Sequence, residues 1–216
     1  MEFADLANLI KNRRSIRQWQ NKEVSEELLV QAIELAGWAP NGGNRQNWRF
    51  YIITNRETIK TIADAVQVSA DQIASWPEAD KFKDTVGRRE RVSFFRNAPA
   101  AIAVGAAQYQ SPVDQVLAAR EKTDSQANQI RQWRNVADSR IQSVASAIAY
   151  LLLILHQMGL GAVWMTGPMQ AKGEIEKILR LSPEIDIIAF IPVGYPAESP
   201  VPRKRRPAGD VCEVFK

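Results

Sequence analysis

The hydrophobic positions along the chain repeat with two periods, one typical of helices and the other typical of strands. Apolar residues spaced three and four positions apart predict helices over residues 2–11, 25–36, 58–68, 141–158 and 172–181. Short apolar runs, several of them rich in aromatic and β-branched residues, predict strands over residues 48–54, 99–107, 162–166 and 187–193. Because the strands do not alternate regularly with the helices, this order favours an α+β fold with a mixed or antiparallel sheet over a doubly wound parallel sheet.

The segments outside these elements differ in character. Residues around 69–134 combine dense charge with an irregular pattern and a polar, helix-prone stretch, so we expect a variable helical insertion or lid there. Residues 197–216 are rich in proline and basic side chains and predict a basic C-terminal extension of a single domain that spans 1–216. The longest apolar run, Ala147–Leu155, is well below the ~20 residues needed to cross a bilayer, and it predicts a buried core helix.

Composition narrows the function classes. Hydrophobic residues at 45% and charged residues at 24% are ordinary for a globular protein, which argues against a disordered or fibrous chain. The net charge of +4 is a mild excess that indicates anionic ligands without requiring nucleic acid. One cysteine, Cys212, and one histidine, His156, exclude an intrachain disulfide and a His-rich metal site, so we expect no metal. The acidic N-terminus lacks the apolar run of a secretory signal, so we expect a cytoplasmic protein with no membrane contact.

Positive side chains cluster near both ends of the chain. Arg13, Arg14, Ser15 and Arg17 fall where a helix ends and an extended segment begins, and guanidinium groups at this spacing can hold a phosphate. Near the C-terminus, the basic run 203–206 precedes a proline. Four charges without an interleaved aromatic residue are few for a nucleic-acid footprint. A solvated turn or tail would explain either cluster equally well.

Two glycine-containing loops offer polar groups beside predicted strands. The loop 39–48 (APNGGNRQNW) has two glycines that let backbone approach a flat ligand, while Asn44 and Gln46 offer donors and acceptors. The stretch 159–167 (GLGAVWMTG) ends the apolar helix and begins a strand. Each loop is also explained as a simple connection between two elements, without any ligand.

Taken together and in this order, the motifs resemble the FMN-dependent nitroreductase family. The resemblance covers residues 10–54 and 153–211 and is loose between 67 and 140. It implies a nitroreductase-like α+β fold, with a central mixed or antiparallel sheet of four to five strands flanked by helices. It also implies an intertwined homodimer that binds FMN noncovalently at the subunit interface. The motifs that carry it are Arg-Arg-Ser-x-Arg, Trp-Ala-Pro, Gly-Gly-Asn-x-Gln-x-Trp, Gly-Leu-Gly, Ile-Pro-Val-Gly-Tyr-Pro and a final basic-x-Arg-x-Pro.

The resemblance also implies a role for each matching residue. Arg13, Arg203 and Arg205 would hold the FMN phosphate, and Arg14 and Ser15 would line the path of the ribityl chain. The catalytic residues would be Arg17, whose charge faces the N1–C2=O edge where negative charge builds on reduction, and Thr166 and Gly167, one of whose backbone N–H groups lies near N5. Two loops would complete the site, with Pro40, Asn41, Gly42 and Asn44 coming from the partner subunit and Trp164, Met165, Thr166 and Gly167 packing on one ring face.

The family mechanism is ping-pong. NADPH or NADH delivers hydride to flavin N5 and leaves, and a nitroaromatic, quinone or similar small molecule then takes its place. The absence of a Gly-x-Gly-x-x-Gly motif is consistent with a nicotinamide that binds only transiently. A specialised member (a heterocycle dehydrogenase, a dehalogenase or a flavin-consuming enzyme) is the main alternative, and a basic nucleic-acid-binding module is the other. The sequence departs from the family at Asn41, Asn47 and Tyr150, where serine, proline and asparagine are common.

Overall fold

The computed structural model describes residues 2–82 and 91–216, and helices and strands follow one another without regular alternation. Residues 83–90 of the predicted insertion lie outside the described residues. Short 3₁₀ turns connect several of the elements. In chain order the helices and strands are α1 (Phe3–Asn12), α2 (Glu26–Ala36), β1 (Trp48–Ile53), α3 (Arg56–Ala74), β2 (Ala100–Ala107), α4 (Pro112–Arg120), α5 (Ser125–Ala137), α6 (Ser139–Gln157), β3 (Gly161–Ala162), α7 (Lys172–Ile178) and β4 (Ile185–Gly194).

The strands form one antiparallel sheet in the order β1-β2-β4-β3. Strand β2 lies in the centre, and its small residues alternate between the two faces of the sheet. Ala100, Ile102 and Val104 face one hydrophobic cluster, whereas Ala101 and Ala103 face the other. The predicted α+β class with a mixed or antiparallel sheet of four to five strands is therefore confirmed, and the sheet is antiparallel with four strands.

Helices cover both faces of the sheet. On one face, α2 and α6 bury Leu29, Leu151 and Leu155 completely. On the other, α3 and α7 pack against Phe95 and Phe190. By length and composition, the stretch Ser125–Gln157 contains one window apolar enough to cross a membrane. Because α6, which lies in this stretch, buries six of its residues in the domain, we interpret it as the predicted core helix.

Several element boundaries differ from the sequence-based expectation. The helix predicted at 58–68 begins at Arg56 behind an Asn55 cap and runs on to Ala74, because its apolar face continues beyond residue 68. The strand predicted at 162–166 spans only Gly161–Ala162, so its length was overestimated. Beyond β3 the Val163 N–H donates to the Pro192 carbonyl at 3.4 Å and Met165 forms an isolated bridge with Phe190, and a 3₁₀ turn starts at Gly167. The polar stretch 112–134 forms α4 and most of α5, which follow β2 in the chain.

Candidate functional site

The arginine segment that follows α1 lies in an extended conformation against the edge of the sheet. Ser15 forms a parallel bridge with Ala162, and the Ile16 N–H donates to the Ala162 carbonyl at 3.2 Å. Gly161 permits this contact, since a Cβ there would lie 2.6 Å from Cγ1 of Ile16. The Trp19 indole N–H donates to the Gly161 carbonyl at 2.8 Å. These contacts fix the backbone that carries Arg13, Arg14 and Arg17.

The chain beyond β4 returns to the same segment. The Gln20 N–H donates to the Tyr195 carbonyl at 2.9 Å, and the Ala197 N–H donates to the Gln18 carbonyl at 3.0 Å. The Glu198 carboxylate then accepts hydrogen bonds from the backbone N–H groups of Arg17 and Gln18. These bonds direct the basic C-terminal segment back towards the end of α1.

The two basic clusters meet in one cavity of about 600 Å³, a volume within the usual range for small-ligand sites. No carboxylate is among the described residues that line it. In the basic run itself, Arg203 and Arg205 line the cavity and Lys204 and Arg206 do not, as expected for alternating side chains of an extended segment. The cavity is lined by Ile10, Lys11, Arg13, Arg14, Ser15, Arg17, Pro200, Val201, Pro202, Arg203 and Arg205.

Two pKa shifts record the positive potential of this region. Partial burial, together with the charges of Arg14 and Arg205, lowers the pKa of Arg13. Burial and the charges of Arg13 and Arg14 lower the pKa of His156, which lies near the C-terminal end of α6. Arginine stays protonated at neutral pH despite such a shift, so the cavity keeps its charge. Converging guanidinium groups of this kind match the oxygens of a phosphate, and the donor set fits the phosphate end of FMN.

The predicted loop at residues 40–44 is anchored on α6. Ser146 Oγ donates to the Pro40 carbonyl at 2.6 Å, and the Gly42 N–H donates to Ser143 Oγ at 3.3 Å. The Asn41 side-chain oxygen accepts from the Gln46 N–H, and the Asn44 side-chain oxygen accepts from the Gln46 amide. Within one chain, these loop residues do not line the arginine cavity. The structure therefore does not bring the two predicted parts of the site together in a single subunit.

The second predicted loop, 164–167, follows directly from the strand that holds the arginine segment. Met165 and Phe190 exchange two backbone hydrogen bonds of 3.0 and 2.9 Å, while Trp164, Thr166 and Gly167 are exposed. Gly167 opens a 3₁₀ turn, and the first N–H groups of such a turn have no partner within it. An acceptor atom placed beside the loop could therefore take a hydrogen bond from this backbone. These residues also lie outside the lining of the arginine cavity.

The structure adds residues to the site that the sequence patterns had not singled out. Glu198 is a lone acidic residue at the start of the basic extension, and its contact with residues 17 and 18 spans most of the chain. Ser143 and Ser146 anchor the 40–44 loop from polar positions on an otherwise apolar helix. Ser143 and Ser146 lie within the mostly apolar helix predicted at 141–158, and this pattern could have indicated an anchor. No local pattern in the sequence indicates the contact of Glu198.

The fold is an α+β domain with a four-stranded antiparallel sheet. The arginine-lined cavity at the C-terminal end of α1 suits an anionic ligand. A family model described as the nitroreductase family matches residues 10–195. The chain belongs to the nitroreductase family. It is accordingly an FMN-dependent oxidoreductase.

Individual relatives carry different names. An NADH dehydrogenase/NAD(P)H nitroreductase of Methanothermobacter thermautotrophicus is 31% identical over 200 residues, which cover 91% of this chain and 80% of the relative. An iodotyrosine deiodinase of Thermotoga neapolitana is 26% identical over 95% of each chain. The crystal structure of a BluB-like flavoprotein from Clostridium difficile 630 superposes with a TM-score of 0.85 over the full length of both chains, at 27% identity. The family is therefore established, but its members have different reactions, since these names include an NAD(P)H nitroreductase and an iodotyrosine deiodinase.

Proposed function

We propose that the protein transfers hydride from NADPH or NADH, through FMN, to a nitroaromatic, a quinone or a similar small acceptor in a ping-pong cycle. The observation that carries this proposal is the single cavity lined by guanidinium groups from both ends of the chain. Like charges held this close repel one another, so the arrangement favours a bound dianion that they can share. When bound, FMN supplies hydride transfer at N5 of its ring.

The arginines then divide into two roles. Arg13, Arg203 and Arg205 would hold the phosphate, an assignment supported by the position of all three in the lining of one cavity. Arg14 and Ser15 line the ribityl path, since both border the same cavity. Arg17 lies at the far end of this run of residues and would face the N1–C2=O edge of the ring. Its fixed charge there would stabilise the negative charge that develops on reduction.

The second loop acts through its backbone. With FMN bound, Trp164 and Met165 would pack on one face of the flavin ring, and an N–H of Thr166 or Gly167 would point to N5. The exposure of Trp164, Thr166 and Gly167 in the single chain supports this role, because these groups remain accessible to a ligand. The Met165–Phe190 backbone pair fixes the loop to the sheet and keeps the amide in place.

We propose a homodimer as the functional form, with Pro40, Asn41, Gly42 and Asn44 reaching the flavin of the partner subunit. Support comes from exposed apolar surface. Helix α1 buries none of its residues, although Phe3, Leu6 and Ile10 form an apolar stripe along it. Trp38, which precedes the 40–44 loop, is 84% exposed. A second copy of the chain would cover both surfaces and bring the loop to the site.

The dimer is tested by light scattering after size-exclusion chromatography. The wild-type protein should show twice the 24.2 kDa mass of one chain. Leu6→Glu places a charge on the apolar stripe and should shift the protein towards the monomer, with loss of FMN. Val68→Glu changes a more exposed valine on α3, 66% exposed against 41% for Leu6, and serves as the control for adding a surface charge. A monomeric wild-type protein that binds FMN fully would contradict the dimeric site.

The predicted insertion around 69–134 includes β2, which belongs to the central sheet. We further propose that the part of it that follows β2, helices α4 and α5, forms a wall of the substrate channel, within a single domain that ends in the basic extension 197–216. Helices α4 and α5 are joined by ion pairs, including Arg134–Asp114 at 2.7 Å. The Tyr109 ring lies under the Arg45 guanidinium at 4.3 Å, which places the segment just before α4 next to the 40–44 loop. A wall beside that loop would lie over the flavin of the partner subunit.

The hydride cycle is tested by anaerobic mixing of the FMN-loaded protein with NADPH or NADH. Bleaching of the flavin absorbance, followed by reoxidation with a nitroaromatic or a quinone, is the expected result. Arg17→Ala should weaken FMN retention and slow the bleaching by at least about tenfold, since one electrostatic donor to the reacting charge contributes this much or more. Lys204→Ala, a charge in the basic run outside the cavity, is the control. Unchanged flavin content and rate in Arg17→Ala would refute the assigned role.

A specialised reaction is the second candidate, and the names of the deiodinase and BluB-like relatives favour it. A protein that nicotinamides fail to bleach, but that releases halide from a halogenated phenol once reduced chemically, would support a dehalogenase. Consumption of the flavin itself would support a flavin-consuming enzyme. A nucleic-acid-binding module is the weakest reading, because Arg203 and Arg205 turn towards the cavity. Steeply salt-dependent DNA binding by a flavin-free protein would favour it.

A further inference from the structure

Glu198 is the last point at which the basic C-terminal segment is fixed to the domain before the cavity. Its Oε1 accepts from the backbone N–H groups of Arg17 and Gln18, the latter at 3.1 Å. Within the described part of the chain, no hydrogen bond joins residues 199–206 to any other residue. The position of Arg203 and Arg205 in the cavity therefore depends on the anchor immediately before them.

We propose that Glu198 is a positioning residue for FMN, which assembles the phosphate-binding arginines without touching the cofactor. This proposal rests on the proposed function, in which these arginines hold the FMN phosphate. One carboxylate fixes the backbone of Arg17 at the N-terminal cluster and the start of the segment that carries Arg203 and Arg205. It thus couples the two halves of the anion site.

The chemistry of the contact suits this role. A carboxylate that accepts two N–H groups forms charge-assisted hydrogen bonds, which are about twice as strong as neutral ones. The same oxygen takes both bonds, so the contact holds one point of the backbone. Glu198 also borders a neighbouring cavity of about 360 Å³ together with Arg14 and His156, so its negative charge lies beside the arginine cluster.

Loss of the anchor would free the segment from residue 198 onwards and leave the Ala197–Gln18 backbone hydrogen bond as its last attachment. Arg203 and Arg205 would then sample more positions, and binding of the phosphate would be opposed by the entropy lost in ordering them. Recognition of the phosphate should weaken, whereas contacts to the flavin ring should change little, because the backbone hydrogen bonds of Ile16 and Gln18 still hold the chain on both sides of Arg17. The ratio of FMN affinity to riboflavin affinity isolates this effect, because riboflavin has the ring and the ribityl chain but lacks the phosphate.

The experiment measures the dissociation constants of FMN and riboflavin by quenching of flavin fluorescence in the apoprotein. Glu198→Ala should weaken FMN binding about 10-fold to 100-fold, as expected for loss of hydrogen bonds to a charged group, and leave riboflavin binding within about twofold. Glu198→Gln should restore most of the ratio, since its amide oxygen still accepts from both N–H groups. Glu213→Ala, which changes an exposed acid in the same extension, is the matched control.

A double-mutant cycle tests the route of the effect. If Glu198 acts through Arg205, then Glu198→Ala should add little to the FMN loss caused by Arg205→Ala. In the ligand-free protein, trypsin should also cleave within 203–206 faster in Glu198→Ala than in the wild type, while the control should cleave at the wild-type rate. Fully additive losses would overturn the proposal that Glu198 acts on these arginines.

The remaining outcomes separate this proposal from the proposed function. A Glu198→Ala variant with the wild-type FMN-to-riboflavin ratio, or with equal losses for both flavins, overturns the positioning role and leaves the FMN site intact. A wild-type protein that binds FMN no better than riboflavin overturns the phosphate site itself. Should Glu198→Ala fail to fold by circular dichroism, Glu198→Asp decides the question, since its shorter side chain must lower the ratio if the proposal holds.

Discussion

The alternation of side chains in the basic run predicts which of its four charges bind the cofactor. Arg203 and Arg205 line the arginine cavity, and Lys204 and Arg206 do not. Replacement of Arg205 with alanine removes a guanidinium that lines the same cavity as Arg13 and that, after burial and the charge of Arg14, helps to lower the pKa of Arg13. We therefore expect Arg205→Ala to weaken FMN binding strongly and Lys204→Ala to leave it almost unchanged.

The expected loss of FMN affinity follows from the hydrogen bonds that Arg205 would donate to the phosphate. A hydrogen bond to a charged group contributes about 1.5–3 kcal/mol, which corresponds to roughly a 10-fold to 150-fold change in affinity. Removal of Arg205 also relieves its repulsion of Arg13 in the free protein, so the lower half of this range is expected. Lys204 contributes only through the long-range field, which is screened beyond a Debye length of about 8 Å at physiological salt. Its removal should change the affinity less than about threefold.

The assay is isothermal titration calorimetry of the apoprotein with FMN at low and physiological salt. Arg205→Ala should reduce both the affinity and its dependence on salt, whereas Lys204→Ala should reduce mainly the salt dependence. Equal losses in the two variants would refute the reasoning, because they would show that the run acts as a diffuse positive patch. A larger loss of FMN affinity in Lys204→Ala than in Arg205→Ala would show that Lys204, and not Arg205, contacts the cofactor.

Three further predictions concern stability. Gly161→Ala should lower the free energy of unfolding in urea by about 1–3 kcal/mol, because its Cβ would overlap the arginine segment. The control Gly173→Ala, whose Cβ would have nothing within 4 Å, should be neutral or stabilising. A neutral Gly161→Ala would contradict the close approach of the two segments. Hydrogen bonds from Arg134 and then Ser111 lower the pKa of Asp114 to about 2, so the carboxylate stabilises the fold above the ordinary aspartate pKa near 4 and this stabilisation is lost as the pH falls towards 2. The effect should be small because the Asp114–Arg134 pair is partly exposed. Asp114→Asn should flatten the acid side of the pH–stability curve for α4 and α5, and an unchanged curve would contradict this prediction. Leu155→Ala should cost about 2–5 kcal/mol, since the side chain is fully buried between α6 and the sheet, and a cost below about 1 kcal/mol would argue against that packing.

Local patterns in the sequence were sufficient for the parts of the structure that depend on near neighbours. The alternation of β2 between two hydrophobic clusters and the cap of α2 by Ser25 both follow from residues a few positions apart. The cluster Arg13–Arg17 was identifiable for the same reason, since a helix end and an extended segment place these charges together. Its match to the basic C-terminal run came from the family resemblance, because no local rule joins segments so far apart.

Long-range contacts account for what the sequence did not predict. Strand β3 is shorter than its apolar run, because beyond Ala162 the regular ladder gives way to one hydrogen bond from Val163 and an isolated bridge at Met165. Glu198 lies in a proline-rich extension that would be exposed on its own, and only the folded chain brings it to Arg17. Asn47, which stands where the family often has proline, is buried and donates its side-chain amide to the Arg140 carbonyl at 3.2 Å. The departure at this position thus anchors β1 to the start of α6.

A crystal structure of the FMN complex is the most direct measurement of how this chain holds its cofactor. We predict phosphate oxygens within hydrogen-bonding distance of both Arg13 and Arg205, with residues from the two ends of one polypeptide around a single phosphate. A phosphate bound away from either of these side chains, in a crystal with full FMN occupancy, would contradict this arrangement.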